Sequence, residues 1–258
     1  MSQLQQGFIL TRHWRDTHEG TEVSFWLATD VGPRQVRVPH QHSVAFIPEE
    51  QRSLAKAVLR RERDAELRPL ELCDFRHRPV MGLYCRSYRR LLDCARLLRD
   101  AGVDVYESDI RPPERYLMER FITAPVCFAG AVDGVAAVDT QLKPAPDYRP
   151  ALKLVSLDIE TTARGDLYSI ALEGCGQRQV YMLGPENGQS DTLGFPLEYC
   201  QTRAQLLERL NGWFVEHDPD AVIGWNLVQF DLRVLHEHSQ RLKVPLRLGR
   251  GGDEMEWR

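Results

Sequence analysis

Three carboxylates carry the sharpest chemical signal in this chain. Asp158 and Glu160 are separated by one residue and close the apolar run Lys153-Leu154-Val155-Ser156-Leu157. In a strand, residues i and i+2 leave the same face, so both side chains would project together. Two like charges that close repel each other, and they resist desolvation unless a cation or hydrogen-bond donors attend them. Hard divalent ions such as Mg²⁺ or Mn²⁺ bind such groups together with water and phosphate oxygens. Taken alone, the tripeptide reads better as an Asp158 that caps a turn beside a solvent-facing Glu160.

Asp231 shifts that balance. Residues 221–225, Ala-Val-Ile-Gly-Trp, read as a short buried strand, and Asn226-Leu227-Val228-Gln229-Phe230-Asp231 follows directly. Asp231 then falls in the first turn of a helix, where the dipole favours a carboxylate. If the strands at 153–158 and 221–225 are neighbours, their C-terminal ends bring Asp231 near Asp158 and Glu160. Three acidic groups at the carboxyl end of a sheet suit a two-metal phosphoryl-transfer site. Alone, Asp231 reads as an ordinary helix cap; beside the other two, the site reading prevails.

The elements that must position these residues follow from pattern. Strands are expected at 153–158, 167–172 and 179–183, the last two joined by the Gly174-Cys175-Gly176 turn. Thr202-Arg203-Ala204-Gln205 is a capping box that starts a helix carrying Leu206, Leu207, Leu210, Trp213 and Phe214. Asp218-Pro219-Asp220 ends it, and a second helix is expected from about 230 to 243. The order strand, strand, strand, helix, strand, helix implies an α/β domain with a mixed sheet flanked by helices.

The first half reads as α+β. Strands are expected at 7–14, 21–28 and 36–38, with a turn at 16–20, and helices at 49–61, 87–100 and 114–121. Pro112-Pro113 sits where a helix start tolerates proline. Three prolines between Lys143 and Pro150 block helix and central strand, so this segment reads as an extended linker. The expected domains are therefore 1–146 and 147–258.

Composition narrows the class. The 258 residues are 43% hydrophobic and 27% charged, as in folded globular chains. No apolar run is long enough to cross a bilayer, and Met1-Ser2-Gln3-Leu4-Gln5-Gln6 lacks the features of a secretion signal. A cytoplasmic chain is the expectation. Six scattered cysteines without a C-x-x-C pair read as reduced thiols. His236 and His238 are two apart on a helix, so they do not read as a metal pair. Residues 52–99 hold 13 basic and 6 acidic side chains, a net of +7, whereas residues 151–258 carry a net of −5. A basic segment beside an acidic domain suits a protein that touches phosphates on one surface and holds metal ions on another. A solvated arginine-rich helix face reads equally well from this stretch alone.

The motifs resemble those of family-B DNA polymerases. Leu157-Asp158-Ile159-Glu160-Thr161-Thr162 resembles the family's first exonuclease motif, and Gly224-Trp225-Asn226 through Phe230-Asp231 resembles the second. The segment from Ile110 to Phe121 is similar to the approach segment, and the run from Gly7 to Trp14 is similar to bacterial members. The resemblance spans nearly the whole chain. It implies a ribonuclease-H-like 3′→5′ exonuclease domain, truncated on its C-terminal side, behind an α+β N-terminal domain. It further implies hydrolysis of the last phosphodiester of a frayed DNA 3′ end, with a deoxynucleoside monophosphate released. Asp158 would ligate two ions, Mg²⁺ or Mn²⁺. Glu160 would bind one and orient the attacking water, and Asp231 would complete the cage. Asn226 would hydrogen-bond the strand's backbone, and Thr161 would lie near the terminal nucleotide. The partners implied are single-stranded 3′ ends, primer-template DNA and a sliding clamp that would engage regions outside this chain.

One departure matters. The family's third exonuclease motif, a Tyr followed four residues later by an Asp, has no counterpart, since no Tyr follows Tyr199. Asp253, Glu254 and Glu256 do not replace it, because nothing positions them on a helix. Nor are the palm, fingers and thumb of a polymerase present. The chain therefore reads as a fragment of a proofreading polymerase with weak or no nuclease activity of its own. Two rival readings remain. One is a stand-alone exonuclease of the same fold. The other is a non-catalytic single-stranded nucleic-acid-binding module, in which Phe8, Trp14, Phe25 and Trp26 stack bases.

Overall fold

The computed structural model describes residues 4–129, 132–133, 136–138, 140–185, 194–252 and 254–255. Asp253 and Glu256, weighed above, lie outside these residues. The chain divides into two compact units, Met1–Ala151 and Leu152–Arg258.

The first unit opens with a hairpin of β1 (Gln5–Thr17) and β2 (Gly20–Ala28), paired from Phe8↔Ala28 to Thr17↔Gly20. Val23, Phe25 and Leu27 alternate into the core, where Tyr116, Leu117 and Phe128 meet them. Phe25 is therefore a core residue, fully buried. Next come β3 (Arg34–Gln41), β4 (Ser43–Pro48), α1 (Arg52–Val58) between two single 3₁₀ turns, β5 (Ala65–Cys73), β6 (Pro79–Cys85), α2 (Tyr88–Asp100) and α3 (Pro112–Met118). The short strands β7 (Pro125–Phe128), β8 (Val132–Asp133), β9 (Ala136–Val138) and β10 (Lys143–Pro144) complete the unit. They form a seven-stranded sheet, β10-β7-β1-β2-β3-β9-β8, and a three-stranded sheet, β4-β6-β5. The smaller sheet packs Ala45, Ile47, Met81 and Leu83 against Ala55 and Leu59 of the α1 stretch and Leu91, Cys94 and Leu98 of α2.

The proline-rich segment expected as a linker is partly built into this unit. Lys143 and Pro144 pair with Cys127 and Val126, Ala145 N–H donates to Pro125 O, and the Tyr148 hydroxyl donates to Asp30. An edge position suits proline, which has no amide proton for a second ladder.

The second unit contains β11 (Leu154–Thr161), β12 (Leu167–Gly174), β13 (Gln177–Leu183), β14 (Leu197–Cys200), α4 (Arg203–His217), β15 (Ala221–Ile223) and α5 (Arg233–Leu242). Its sheet runs β14-β13-β12-β11-β15. The meander β11-β12-β13 is antiparallel, and β15 returns parallel to β11, with Leu154↔Ala221 to Ser156↔Ile223. This is the mixed, ribonuclease-H-like order expected, with β14 added in parallel beside β13. Thr202 accepts from Gln205 N–H at the start of α4, and Asp218 ends it in the left-handed region. The five apolar residues expected on α4 are all buried, and each such burial stabilises by about 1.5–3 kcal/mol. All six cysteines are free thiols. No helix among the described residues is long and apolar enough to cross a membrane.

Candidate active site

The alternation of β11 sets the geometry. Val155, Leu157 and Ile159 point into the core, while Ser156, Asp158 and Glu160 lie on the exposed face. The two carboxylates thus share one face near the strand's C-terminal end. A register shift follows between Glu160 and Thr161, which leaves Thr161 half-buried at a bulge; such irregularities re-aim side chains beside many sites. The chain then turns tightly. Thr162 Oγ1 accepts from the amides of Arg164 and Asp166, and Gly165 takes a φ of 79°.

Beside β11, the segment after β15 comes very close. A Cβ on Gly224 would stand 2.6 Å from Leu157 O, so only glycine passes here without backbone movement. Trp225 then projects outward at 93% exposure. Asn226 is exposed and adopts φ 53°, which Asn tolerates better than most residues, and its carbonyl accepts Phe230 N–H.

Asp231 was expected in the first α-helical turn. It lies instead in a π turn, Val228–Leu232, in which Leu232 N–H donates to Leu227 O at 2.9 Å; α5 begins at Arg233. Single π turns inside helices recur at functional positions. Asp231 is 2% exposed, and its Oδ1 accepts Ile159 N–H at 3.0 Å. The reason is local. The parallel ladder ends at Ser156↔Ile223, so the edge of β11 beyond it has lost its strand partner, and the carboxylate supplies the missing acceptor. Burial pushes the Asp231 carboxyl above its ordinary value; the Ile159 bond opposes the rise, and the charge of Asp158 adds to it.

The structure therefore brings Asp231 onto the main chain between Asp158 and Glu160. Asn226 and Thr161 stand at the ends of the two segments that flank them. Among the described residues, no group of three or more His, Cys, Asp or Glu side chains is gathered closely enough to hold a metal ion. The donors fit Mg²⁺ or Mn²⁺ in type, being all-oxygen and anionic; their spacing does not close a cage. His238 is no ligand. Its Nε2 accepts Leu167 N–H at 3.0 Å and its Nδ1 lies 2.9 Å from Val234 O, which fixes the ring's orientation and pins α5 to β12. Sequence reasoning did not find the Ile159 amide, the π turn or the Gly224 contact. Only Gly224 left a signal, as a glycine at the end of an expected strand. That strand, β15, is not buried as expected, since Ala221 and Val222 are half-buried and Ile223 is exposed at the edge of the sheet.

Residues 7–42 match the family model described as "DNA polymerase II, N-terminal", and residues 43–103 match "DNA polymerase II, insertion domain". Over 254 residues, 98% of the chain, the sequence is 61% identical to DNA polymerase II of Escherichia coli (strain K12), of which it covers 32%. The fold also superposes on the family B DNA polymerase of the hyperthermophilic archaeon Pyrobaculum calidifontis with a TM-score of 0.74 and 20% identity, over 97% of this chain and 34% of that one. The chain spans about a third of the length of each of these relatives. By these matches it is a close homologue of DNA polymerase II over that protein's N-terminal part.

Proposed function

We propose that the second unit is the proofreading 3′→5′ exonuclease region of a family-B, DNA-directed DNA polymerase, and that the chain alone has weak nuclease activity or none. The observation that carries this reading is the buried Asp231 carboxylate, docked on Ile159 N–H between the two outward-facing acids of β11. A strand amide holds Asp231 in place, so its remaining oxygen needs no reorganisation to meet a cation. Asp158, Glu160 and Asp231 would hold the Mg²⁺ or Mn²⁺ ions. When bound, these would supply a water nucleophile at neutral pH and relief of charge at the leaving 3′ oxygen. Glu160 would orient the attacking water. Asn226, fixed in its left-handed turn, would bind the backbone of the frayed strand, and Thr161 would lie beside the terminal nucleotide. The partners are DNA and, for the longer protein, a sliding clamp; the compartment is the bacterial cytoplasm, at the nucleoid.

The test is a 5′-labelled single strand incubated with excess protein and Mn²⁺. Mn²⁺ binding is expected, with at most a slow ladder shortened one nucleotide at a time from the 3′ end, and both lost in Asp158→Ala. A ladder that persists in Asp158→Ala would overturn the reading. So would the joint absence of any ladder and of any Mn²⁺ binding.

A further inference from the structure

The first unit carries a surface that the exonuclease reading does not use. Between 52 and 99 the sequence has 13 basic and 6 acidic side chains, and the structure shows how they are spent. Glu62 pairs with Arg90, Glu66 with Arg68, Asp74 with Arg78, and Asp93 with Arg96. Arg52, Lys56, Arg60, Arg61 and Arg63 are exposed, and among the described residues none has an acidic partner. Four of the six acids are thus drawn to other arginines; Asp64, exposed beside Arg63, makes no ion pair among the described residues and offsets one charge of the group, which still leaves a clear positive excess.

Their arrangement is regular. Arg52, Lys56 and Arg60 recur every four residues along α1 and its 3₁₀ extension, flanking the stripe Ala55, Val58 and Leu59 that faces the core. That spacing sets three cations along one flank over roughly 12 Å. The Glu62–Arg90 pair ties the end of this stretch to the first turn of α2, in which Arg89 is also exposed, as is Arg86 just before the N-cap Ser87. The N-terminus of α2 is not itself an anion site, because Asp16 already accepts the amides of Tyr88 and Arg89. Unneutralised like charges repel one another, so an anionic partner on this face is bound by side chains alone.

We infer that this ridge holds the phosphate backbone of duplex DNA without reading its sequence. Charge complementarity and spacing identify the partner: roughly 12 Å covers three to four phosphates of one strand at a rise of about 3.4 Å. A single strand fits less well, since proteins that hold one add stacking aromatics and residues 52–63 contain none. The ridge lies apart in sequence from the exonuclease motifs, and its test is independent of them.

The experiment is fluorescence anisotropy of a labelled duplex, in EDTA to exclude hydrolysis, over a range of salt. Five phosphate contacts predict a fall of several hundredfold in affinity between about 50 and about 200 mM salt. The variant Arg60→Gln/Arg61→Gln/Arg63→Gln should bind more weakly, with the salt slope reduced by about 3. The matching Arg→Lys variant should bind like the wild type, and circular dichroism should show both folded. A variant of equal charge, Arg15→Gln/Arg178→Gln/Arg209→Gln, should leave binding unchanged. Equal losses in the ridge variant and this control would overturn the inference. So would a ridge variant that loses more affinity for phosphatidylglycerol vesicles or for a single strand than for the duplex.

Discussion

Replacing Asp231 separates its two functions, hydrogen-bond acceptor and buried charge. Asp231→Asn keeps an oxygen for Ile159 N–H and removes the charge; Asp231→Ala removes both. The acceptor lies 3.0 Å from the amide, on a side chain only 2% exposed. Leaving such a donor unmet costs about 1–3 kcal/mol. In a unit of this size each kcal/mol moves the midpoint by roughly 4–8 °C, so the Ala variant should melt well below the Asn variant. The charge acts in the opposite direction. Burial and Asp158 raise the folded-state pKa of Asp231 above its unfolded value. Its contribution to stability is then fully present below the unfolded pKa and is lost as pH rises through the folded pKa. The Asn variant should therefore be more stable than the wild type at neutral pH, and the gap should close as pH falls through the carboxylate range. Thermal melts in EDTA, followed by circular dichroism at several pH values, read both effects. Equal melting of Asn and Ala, or an Asn variant less stable than the wild type at neutral pH, would refute this account of the carboxylate.

Other perturbations probe the supports of the site. Gly224→Ala puts a methyl 2.6 Å from Leu157 O and should cost about 1–3 kcal/mol in a chemical denaturation curve. Gly212→Ala, in α4 with open space around its Cα, should instead stabilise by about 0.5–1 kcal/mol. His238→Leu leaves Leu167 N–H without its acceptor; hydrogen exchange should show the β12 amides opening sooner, and melting should fall by the equivalent of about 1–3 kcal/mol.

Much of the second unit was legible because its signals are local. The alternation in β11 and the Thr202 to Gln205 box specify their elements from a few adjacent residues. The order of elements allowed the first and fourth strands to be neighbours, and β15 does return parallel beside β11. What pattern reading missed depends on distant pairing. In the β4-β6-β5 sheet, β6 begins at Pro79 and β5 carries Pro69. Both residues argue locally against strands, yet one stands at a strand start and the other on an edge, where proline is tolerated. The prolines of 143–150 likewise masked a strand that pairs with β7. Within the site, the residue types and the shared face of Asp158 and Glu160 could be read from spacing. The π turn that delivers Asp231 could not, because one extra residue in a turn is set by packing against β11 rather than by helical periodicity.

The most direct measurement is calorimetric titration of Mg²⁺ or Mn²⁺ into the 258-residue chain, with Asp158→Ala beside it. Binding heat in the wild type that vanishes in the variant is the result predicted for carboxylates that assemble as a metal site. Equal heats in both proteins, or no heat in either, would contradict it.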